Sequence, residues 1–407
     1  MAMDVNMIIR PADDLQMRVE GAQFVISVGG TTLPMADFTF AVLNTFRAPL
    51  TFGEGTKKLQ ATTTGIHQWM MITAEIVRLL DEGALVSDAP RRARQAIESA
   101  PTNQEIKLHI NLLRDVVRTE AYLEALRQVV QPDDVVVDIG TGNGILAMGA
   151  LQAGARHVYA IEAGLMAKTT REIFAANDFA DRTTLIEGWS LRLDVPEKAD
   201  VLVSEILSND VFTENALQAT RDGVRRFLKP GGRVLPTHAR MYIWLVNMPE
   251  YMLANRSVRP ADTEDWQTRY GLDFAPLYDN QWSGRPFLEV YPPQLPDWQL
   301  LSEAVLVADV RLDQIEALTY ELETVAHCTK SGHVNGMLGY FDLEIAPGVS
   351  ITTNPFAEIR ANSWANSVWL ATPTDVVEGD SFRIRLKHEN RIPLTVEIFA
   401  ERIETGS

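Results

Sequence analysis

Residues 135–155 read VVVDIGTGNGILAMGALQAGA. Val135 to Ile139 is a strand-forming run carrying one acid, Asp138, and it ends in Gly140-Thr141-Gly142-Asn143-Gly144 before an apolar helical stretch. Glycines let a backbone turn tightly and approach a ligand closely, and the following helix offers its free amide groups at the turn. This is a nucleotide-type site at the end of a buried strand. The spacing is G-x-G-x-G, not the G-x-G-x-x-G that accommodates a pyrophosphate in dinucleotide dehydrogenases.

Outward from this turn, residues 133–237 alternate β and α patterns: HVYAIEA, a helix to Asn177, TTLIEG, DVLVSEIL, a helix, then GGRVLP. Such alternation predicts a parallel sheet with crossover helices, a Rossmann-like α/β domain. After Pro236 the helical patterns fade. RMYIWLVNM, LLSEAVLVADVRL, GMLGYFDLEI and SFRIRL alternate apolar and polar residues, as in an antiparallel β-barrel or sandwich. Before the α/β region, QMRVE and QFVISV read as a hairpin. MADFTFAVLNTF and WMMITAEIVRLLDEG read as helices, the second with Ile72, Ile76, Leu79 and Leu80 on one face and Gly83 as its cap. The short strand ALVS completes a small α+β, winged-helix pattern, and Ala89-Pro90-Arg91-Arg92 reads as a linker. The expected domains are therefore 1–90, 91–237 and 238–407.

The bulk numbers agree with a multidomain globular chain. Its 407 residues exceed one ordinary core, and 46% hydrophobic with 22% charged residues is a globular composition. The single cysteine, Cys328, excludes an internal disulfide and multi-thiolate zinc clusters, and no metal site is expected. No apolar stretch is long enough to span a bilayer, and the start MAMDVNMIIRPADD lacks a signal-peptide pattern, so a cytoplasmic location is expected. A formal net charge of −17 disfavours nucleic acid as partner, whose binding rests on lysine and arginine. An acidic surface suits a cationic substrate, although it equally serves solubility.

Without a pyrophosphate to hold, the glycine turn fits S-adenosylmethionine, with Asp138 near its ammonium end. Glu162 ends the next strand, HVYAIEA, where a carboxylate can accept both ribose hydroxyls. The strand DVLVSEIL ends in Ser204-Glu205, and Glu214 follows nine residues later across SNDVFTE. Two carboxylates leaving the carboxyl edge of a parallel sheet can converge on a cation. A guanidinium is protonated at neutral pH and is a poor nucleophile until its charge is drawn aside. Paired glutamates do this with charge-assisted hydrogen bonds of roughly 1.5–3 kcal/mol each.

These residues resemble the protein arginine methyltransferases over roughly residues 105–400. HINLLRDVVRT is similar to that family's segment before the first strand, with His109, Asp115 and Arg118 in register. VVVDIGTGNGILAMGALQAGA, the Glu162 strand and SEILSNDVFTE, similar to the double-glutamate loop, follow in order. WQTRYGLDF resembles the dimerisation arm, and GYFDLEI a barrel strand. The resemblance implies that Arg118 binds the cofactor carboxylate, Glu162 its ribose, and Glu205 and Glu214 the substrate nitrogen. It also implies a head-to-tail homodimer through residues around 250–275.

Three departures stand out. The family's Thr-His-Trp loop falls on Asn362-Ser363-Trp364, so Ser363 replaces the histidine and Asp115 is expected to lose that partner. Asn103 stands where tyrosine is usual, and Leu191 where a glutamate often contacts the adenine. An amine in place of the guanidinium is therefore an alternative acceptor.

LNTFRAPLTFGEGTKKL followed by EIVRLLDEGALV resembles winged-helix domains of the PqqD type, which hold the leader of a ribosomally made peptide while an enzyme modifies its core; a plain structural or dimerising winged helix is the alternative. DNA binding is disfavoured because the last helix carries Glu75, Asp81 and Glu82. The reading is a peptide N-methyltransferase with an S-adenosylmethionine cofactor. Its alternatives are a methyltransferase for a small molecule or peptide oxygen, and a catalytically silent cofactor-binding scaffold.

Overall fold

The computed structural model describes residues 7–20, 23–28, 31–36, 38–63, 66–81, 83–87, 103–254, 256–295, 297–390 and 394–403. The chain divides into two compact units, residues 1–108 with 163–173, and residues 109–162 with 174–407. The expected linker at 89–92 lies outside the described residues.

The first unit begins with β1 (Ile8–Pro11), β2 (Gln16–Glu20), β3 (Gln23–Val28) and β4 (Thr31–Pro34). It continues through α1 (Thr39–Thr45), β5 (Leu50–Thr51), α2 (Phe52–Gln60), α3 (Ile66–Asp81) and β6 (Leu85–Ser87). Two three-stranded sheets form, ordered β5-β1-β6 and β2-β3-β4. The apolar stripe of α3 meets the core, with Ile72, Ile76 and Leu79 buried beside Ile26, Val42, Phe46 and Leu59. Gly83 ends this helix at φ +76, a left-handed conformation that glycine adopts without strain. Helix α2 was not expected. Its start is a capping box in which Thr51 accepts from the Glu54 amide and Glu54 accepts from the Thr51 amide. Gly55 lets α2 approach closely, because a Cβ there would stand 2.2 Å from the Phe46 ring. One correction concerns Glu75, counted above as a deterrent to DNA. It is buried, accepting from Thr39 Oγ1 and from Arg78 at 2.6 and 2.8 Å, so it sets no surface charge.

After α4 (Asn103–Arg114) and α5 (Val116–Val129) the chain forms β7 (Val135–Ile139), α6 (Ile145–Gln152), β8 (His157–Glu162), α7 (Ala167–Ala176), β9 (Thr183–Glu187), β10 (Ala199–Ser204), α8 (Ala216–Arg226) and β11 (Leu228–Leu235). The five strands are all parallel, ordered β11-β10-β7-β8-β9, with the glycine turn at the carboxyl end of central β7. Alternate residues serve the two faces. Val136, Val158, Ala160, Val201 and Val203 face one core, and Val135, Val137, Ile139, Ile161 and Leu202 face another. Burial on both faces explains why β7 reads as an almost unbroken apolar run.

The remainder is antiparallel: β12 (His238–Asn247), α9 (Glu250–Leu253), α10 (Pro260–Tyr270), α11 (Ala275–Asp279), β13 (Pro286–Val290), β14 (Gln299–Leu300), β15 (Val305–Arg311), β16 (Tyr320–His327), β17 (Gly332–Ala346), β18 (Val349–Thr352), β19 (Asn366–Val376), β20 (Ser381–His388) and β21 (Val396–Arg402). A seven-stranded sheet centred on β12, β17 and β19 and a three-stranded sheet, β16-β20-β21, make up this β-rich region. One continuous apolar core joins it to the parallel sheet, from Leu126, Val136 and Val201 to Met241, Phe341 and Trp369. That shared core holds the loop after β10 against the segment before β19.

Candidate active site

The β7 turn carries three left-handed glycines, Gly140 at φ +77, Gly142 at φ +53 and Gly144 at φ +82. A Cβ on Gly140 would lie 2.3 Å from Ile206, and one on Gly142 would lie 2.6 Å from the His109 ring. Both positions therefore need glycine for conformation and for space. Asp138 is fully buried under the turn and accepts from Thr141 Oγ1 at 2.6 Å. Burial, with Glu162 adding its charge and the Thr141 bond opposing, pushes the Asp138 carboxyl up to about 7. Glu162, at the end of β8, accepts from the Gly142 amide at 2.7 Å, so it pins the turn at the place predicted for ribose recognition. Leu191 lies in a one-turn 3-10 helix after β9 and is exposed.

Arg118 projects from the first turn of α5 and is buried, its guanidinium paired with Glu205 at the end of β10 and 5.7 Å from the Trp364 ring centroid. Burial lowers its pKa, against the raising influence of Tyr122 and Asp115. His109 sits over Gly142, and burial followed by the Arg118 charge pushes its imidazole down to about 4, so it is neutral at physiological pH. Among the described residues, Asp138 Oδ1, Arg118 Nε and His109 Nδ1 are buried without a hydrogen-bond partner. Native proteins rarely leave such atoms unsatisfied. An acceptor beside a glycine turn and an unused guanidinium donor match the ammonium and carboxylate of an amino-acid moiety. The residues present thus fit S-adenosylmethionine.

Asp115 has no histidine partner, as expected from Ser363, and other donors meet its carboxylate. Asp115 Oδ2 accepts from the Ser363 hydroxyl at 2.6 Å and from the Ser363 and Asn362 amides at 2.7 and 2.6 Å, while Oδ1 caps α5 through the Arg118 amide at 3.2 Å. The short hydroxyl and two backbone amides supply the donors that an imidazole would have supplied. Trp364 donates Nε1–H to the Leu207 carbonyl at 2.8 Å, and Ala365 donates its amide to Asn209 Oδ1 at 2.8 Å. The double-glutamate loop is stitched in this way to the segment before β19.

Glu205 and Glu214 were expected to converge on one cation. The structure brings Glu205 to Arg118, and Glu214 to Ser208, Asp210 and Glu289. Burial first and the Asp210 charge second push the Glu214 carboxyl up to about 7, with the Ser208 bond opposing. Glu214 and the next residue, Asn215, both sit at φ +62, outside the range most side chains favour. Sequence reasoning passed over Asp210 and Glu289. The signal for Asp210 was present as a third acid between the two glutamates, and that for Glu289 was not, since only the fold brings β13 to this loop.

Comparison with known proteins points to methyltransferases. Residues 117–235 match the family model described as ribosomal protein L11 methyltransferase (PrmA). The chain is similar to protein arginine N-methyltransferase 1 of Chlamydomonas reinhardtii, 28% identical over 302 residues, covering 72% of this chain and 84% of that protein. It is 32% identical over 240 residues to the probable histone-arginine methyltransferase 1.3 of Arabidopsis thaliana, covering 57% of this chain but only 44% of that relative's length. In fold it resembles the Trypanosoma brucei PRMT1 enzyme–prozyme heterotetrameric complex with AdoHcy, at a TM-score of 0.62 and 22% identity over 73% of this chain and 94% of that one. The chain is thus an S-adenosylmethionine-dependent methyltransferase with a protein arginine methyltransferase-like fold.

Proposed function

We propose that the chain transfers methyl groups to nitrogen in a peptide or protein, at an arginine guanidinium. The observation that carries this reading is the cluster of acids at this loop, Asp210 buried, Glu214 half-buried and Glu289 on the adjoining strand β13, which favours a cation over a neutral or anionic acceptor. The names of the relatives point to the same acceptor. S-adenosylmethionine, when bound, supplies a methyl group on a positively charged sulfur. Asp138, Arg118, His109 and Glu162 hold it, and the three glycines let it lie close to the backbone. Glu205 and Glu214 would orient the acceptor nitrogen and draw its positive charge aside. Catalysis then rests on positioning and on excluding water. Asp115, Ser363 and Trp364 support the acceptor side by fixing Arg118 and the loop. An amine acceptor is the second reading, favoured by Ser363 because a hydroxyl leaves a differently shaped wall from an imidazole.

The first unit supports recognition of a peptide leader, in the manner of the PqqD-type domains it resembles in sequence. Its β2-β3-β4 sheet exposes Met17, Val19 and Phe24. A cavity of about 190 Å³ lies between the β1–β2 region and α1, lined by Leu15, Met17, Phe40, Leu43 and Arg47. An extended leader adding a strand there would pair by backbone and seat apolar side chains in the groove. The substrate would then be a ribosomally made precursor, modified in the cytoplasm. A homodimer through the residues around 250–275 is supported by the exposed Tyr251, Tyr270 and Leu272 there and Leu277 just beyond, side chains that a partner could cover.

Intact-mass analysis of two matched peptides, one offering only arginine and one only a primary amine, tests the acceptor. Gain on the arginine peptide alone is expected. Gain on the amine alone would replace the guanidinium with an amine, and gain on neither by a cofactor-loaded protein would reject both.

A further inference from the structure

Asp210 stands in the middle of the loop that separates Glu205 from Glu214. Its carboxylate is buried, and Oδ1 accepts from the Phe212 and Thr213 amides at 2.8 and 2.9 Å while Oδ2 accepts from Thr213 Oγ1 at 3.3 Å. This clasp closes the turn immediately before Glu214. The next two residues adopt left-handed backbone at φ +62, a conformation that costs non-glycine residues on the order of 1 kcal/mol or more each and persists only when neighbours enforce it. The loop upstream is already held by Trp364 and Ala365, and Phe212 is anchored by its ring against Tyr320 and His388 at 5.2 and 5.0 Å. Asp210 supplies the remaining constraint.

Its charge has a second consequence. The groups facing Glu214 are Asp210 from its own loop, Glu289 from β13, and the Ser208 hydroxyl. The ionisable group facing Asp210 is His388 from β20. Burial first, and then the charges of these two acids, hold a proton more tightly on Glu214 than on a free carboxylate.

We propose that Asp210 is a positioning residue for methyl transfer: it clasps the backbone that turns Glu214 toward the acceptor, and its negative charge makes Glu214 the group that takes the proton the acceptor releases. The nitrogen forms its bond to the methyl carbon, sulfur keeps the electron pair of the broken bond, and the departing N–H proton converts the Glu214 carboxylate to the acid. This rests on the reading above that Glu214 faces the acceptor.

The test separates clasp from charge. Asp210→Asn retains Oδ1 as acceptor for both amides and removes the charge, whereas Asp210→Ala removes both. Carbon NMR of labelled glutamate carboxyls, with Glu214→Gln for assignment, reads the Glu214 titration directly, and hydrogen exchange reads the Phe212 and Thr213 amides. The expected result for Asp210→Asn is slow exchange as in the wild type and a Glu214 midpoint lower by about one pH unit or more, with the acid limb of kcat moving the same way. For Asp210→Ala, exchange at both amides accelerates at least about tenfold and kcat falls across the pH range. An unmoved Glu214 midpoint in Asp210→Asn, or unchanged exchange in Asp210→Ala, overturns the proposal. Titration and exchange require no acceptor, so an enzyme that methylates neither test peptide contradicts the acceptor assignment while leaving the role of Asp210 decided.

Discussion

The two ends of the site are built differently. At the cofactor end, Asp138, the three glycines and Glu162 lie within 25 consecutive residues, 138–162, and the Gly142–Glu162 bond spans only 20. At the proposed acceptor end, Asp115 meets Ser363 across 248 residues and Leu207 meets Trp364 across 157. A site made from one strand–turn–helix unit depends on backbone conformation, which few residue types can supply. A site made from long-range side-chain contacts can exchange one donor for another and survive. The first end needs glycine at positions 140 and 142, while the second meets Asp115 with a hydroxyl and two amides.

The largest effect expected from this contrast is at Gly142. Gly142→Val must adopt φ near +53 and place its Cβ 2.6 Å from His109, so cofactor affinity should fall by about a hundredfold or more, given strain of roughly 1–3 kcal/mol plus the clash. Calorimetric titration with S-adenosylmethionine reads this directly, and wild-type affinity would mean that the turn is not the cofactor seat. Next is Asp115→Asn, which turns an acceptor of four donors into a mixed group. It should destabilise the fold by about 2 kcal/mol through unpaired buried donors and lower turnover, and an unaltered denaturation midpoint would show the Asp115 cluster to be dispensable. Ser363→Ala removes one donor and leaves two amides on Asp115 Oδ2. A loss of only about 1 kcal/mol and less than tenfold in kcat is expected; a collapse as deep as Asp115→Asn would erase the difference between the two ends.

The smallest effect is in the pH dependence of stability. Asp138 and Glu214 are both raised to about 7 from ordinary values of 3.8 and 4.5. The folded state therefore binds their protons more tightly than the unfolded chain does. Their contribution is full below those ordinary values and is lost as pH rises through about 7. The melting temperature of Glu214→Gln should fall less than that of the wild type between pH 5 and 8. Parallel curves would mean that Glu214 ionises normally.

The same contrast explains what could be read in advance. The parallel sheet, the turn and the acid ending β8 follow from β-branched runs and glycine spacing, which are local and periodic. The antiparallel region was legible as alternating strands, but the pairing of β17 with β12 and β19 was not, because register is set by tertiary packing. Helix α2 went unread because FGEGTKKLQ has only two large apolar residues, Phe52 and Leu59, and two glycines, although its capping box at Thr51 and Glu54 was in plain view. Glu75 misled because a charged residue on a helix is usually exposed, and its partners Thr39 and Arg78 became visible only in the fold. The donors that meet Asp115 in place of a histidine went unread for a similar reason: the amides of residues 362 and 363 have no signature in residue type.

The account depends on Glu205 acting on the acceptor and not on the cofactor. The most direct test measures S-adenosylmethionine affinity and methyl transfer side by side in wild type and Glu205→Gln. Affinity within about threefold and turnover lower by at least about a hundredfold are predicted, because Arg118 keeps its charge for the cofactor while the acceptor loses a charge-assisted partner. Unchanged turnover, or a loss of affinity that accounts for the whole loss of turnover, would contradict the division of the site into these two ends.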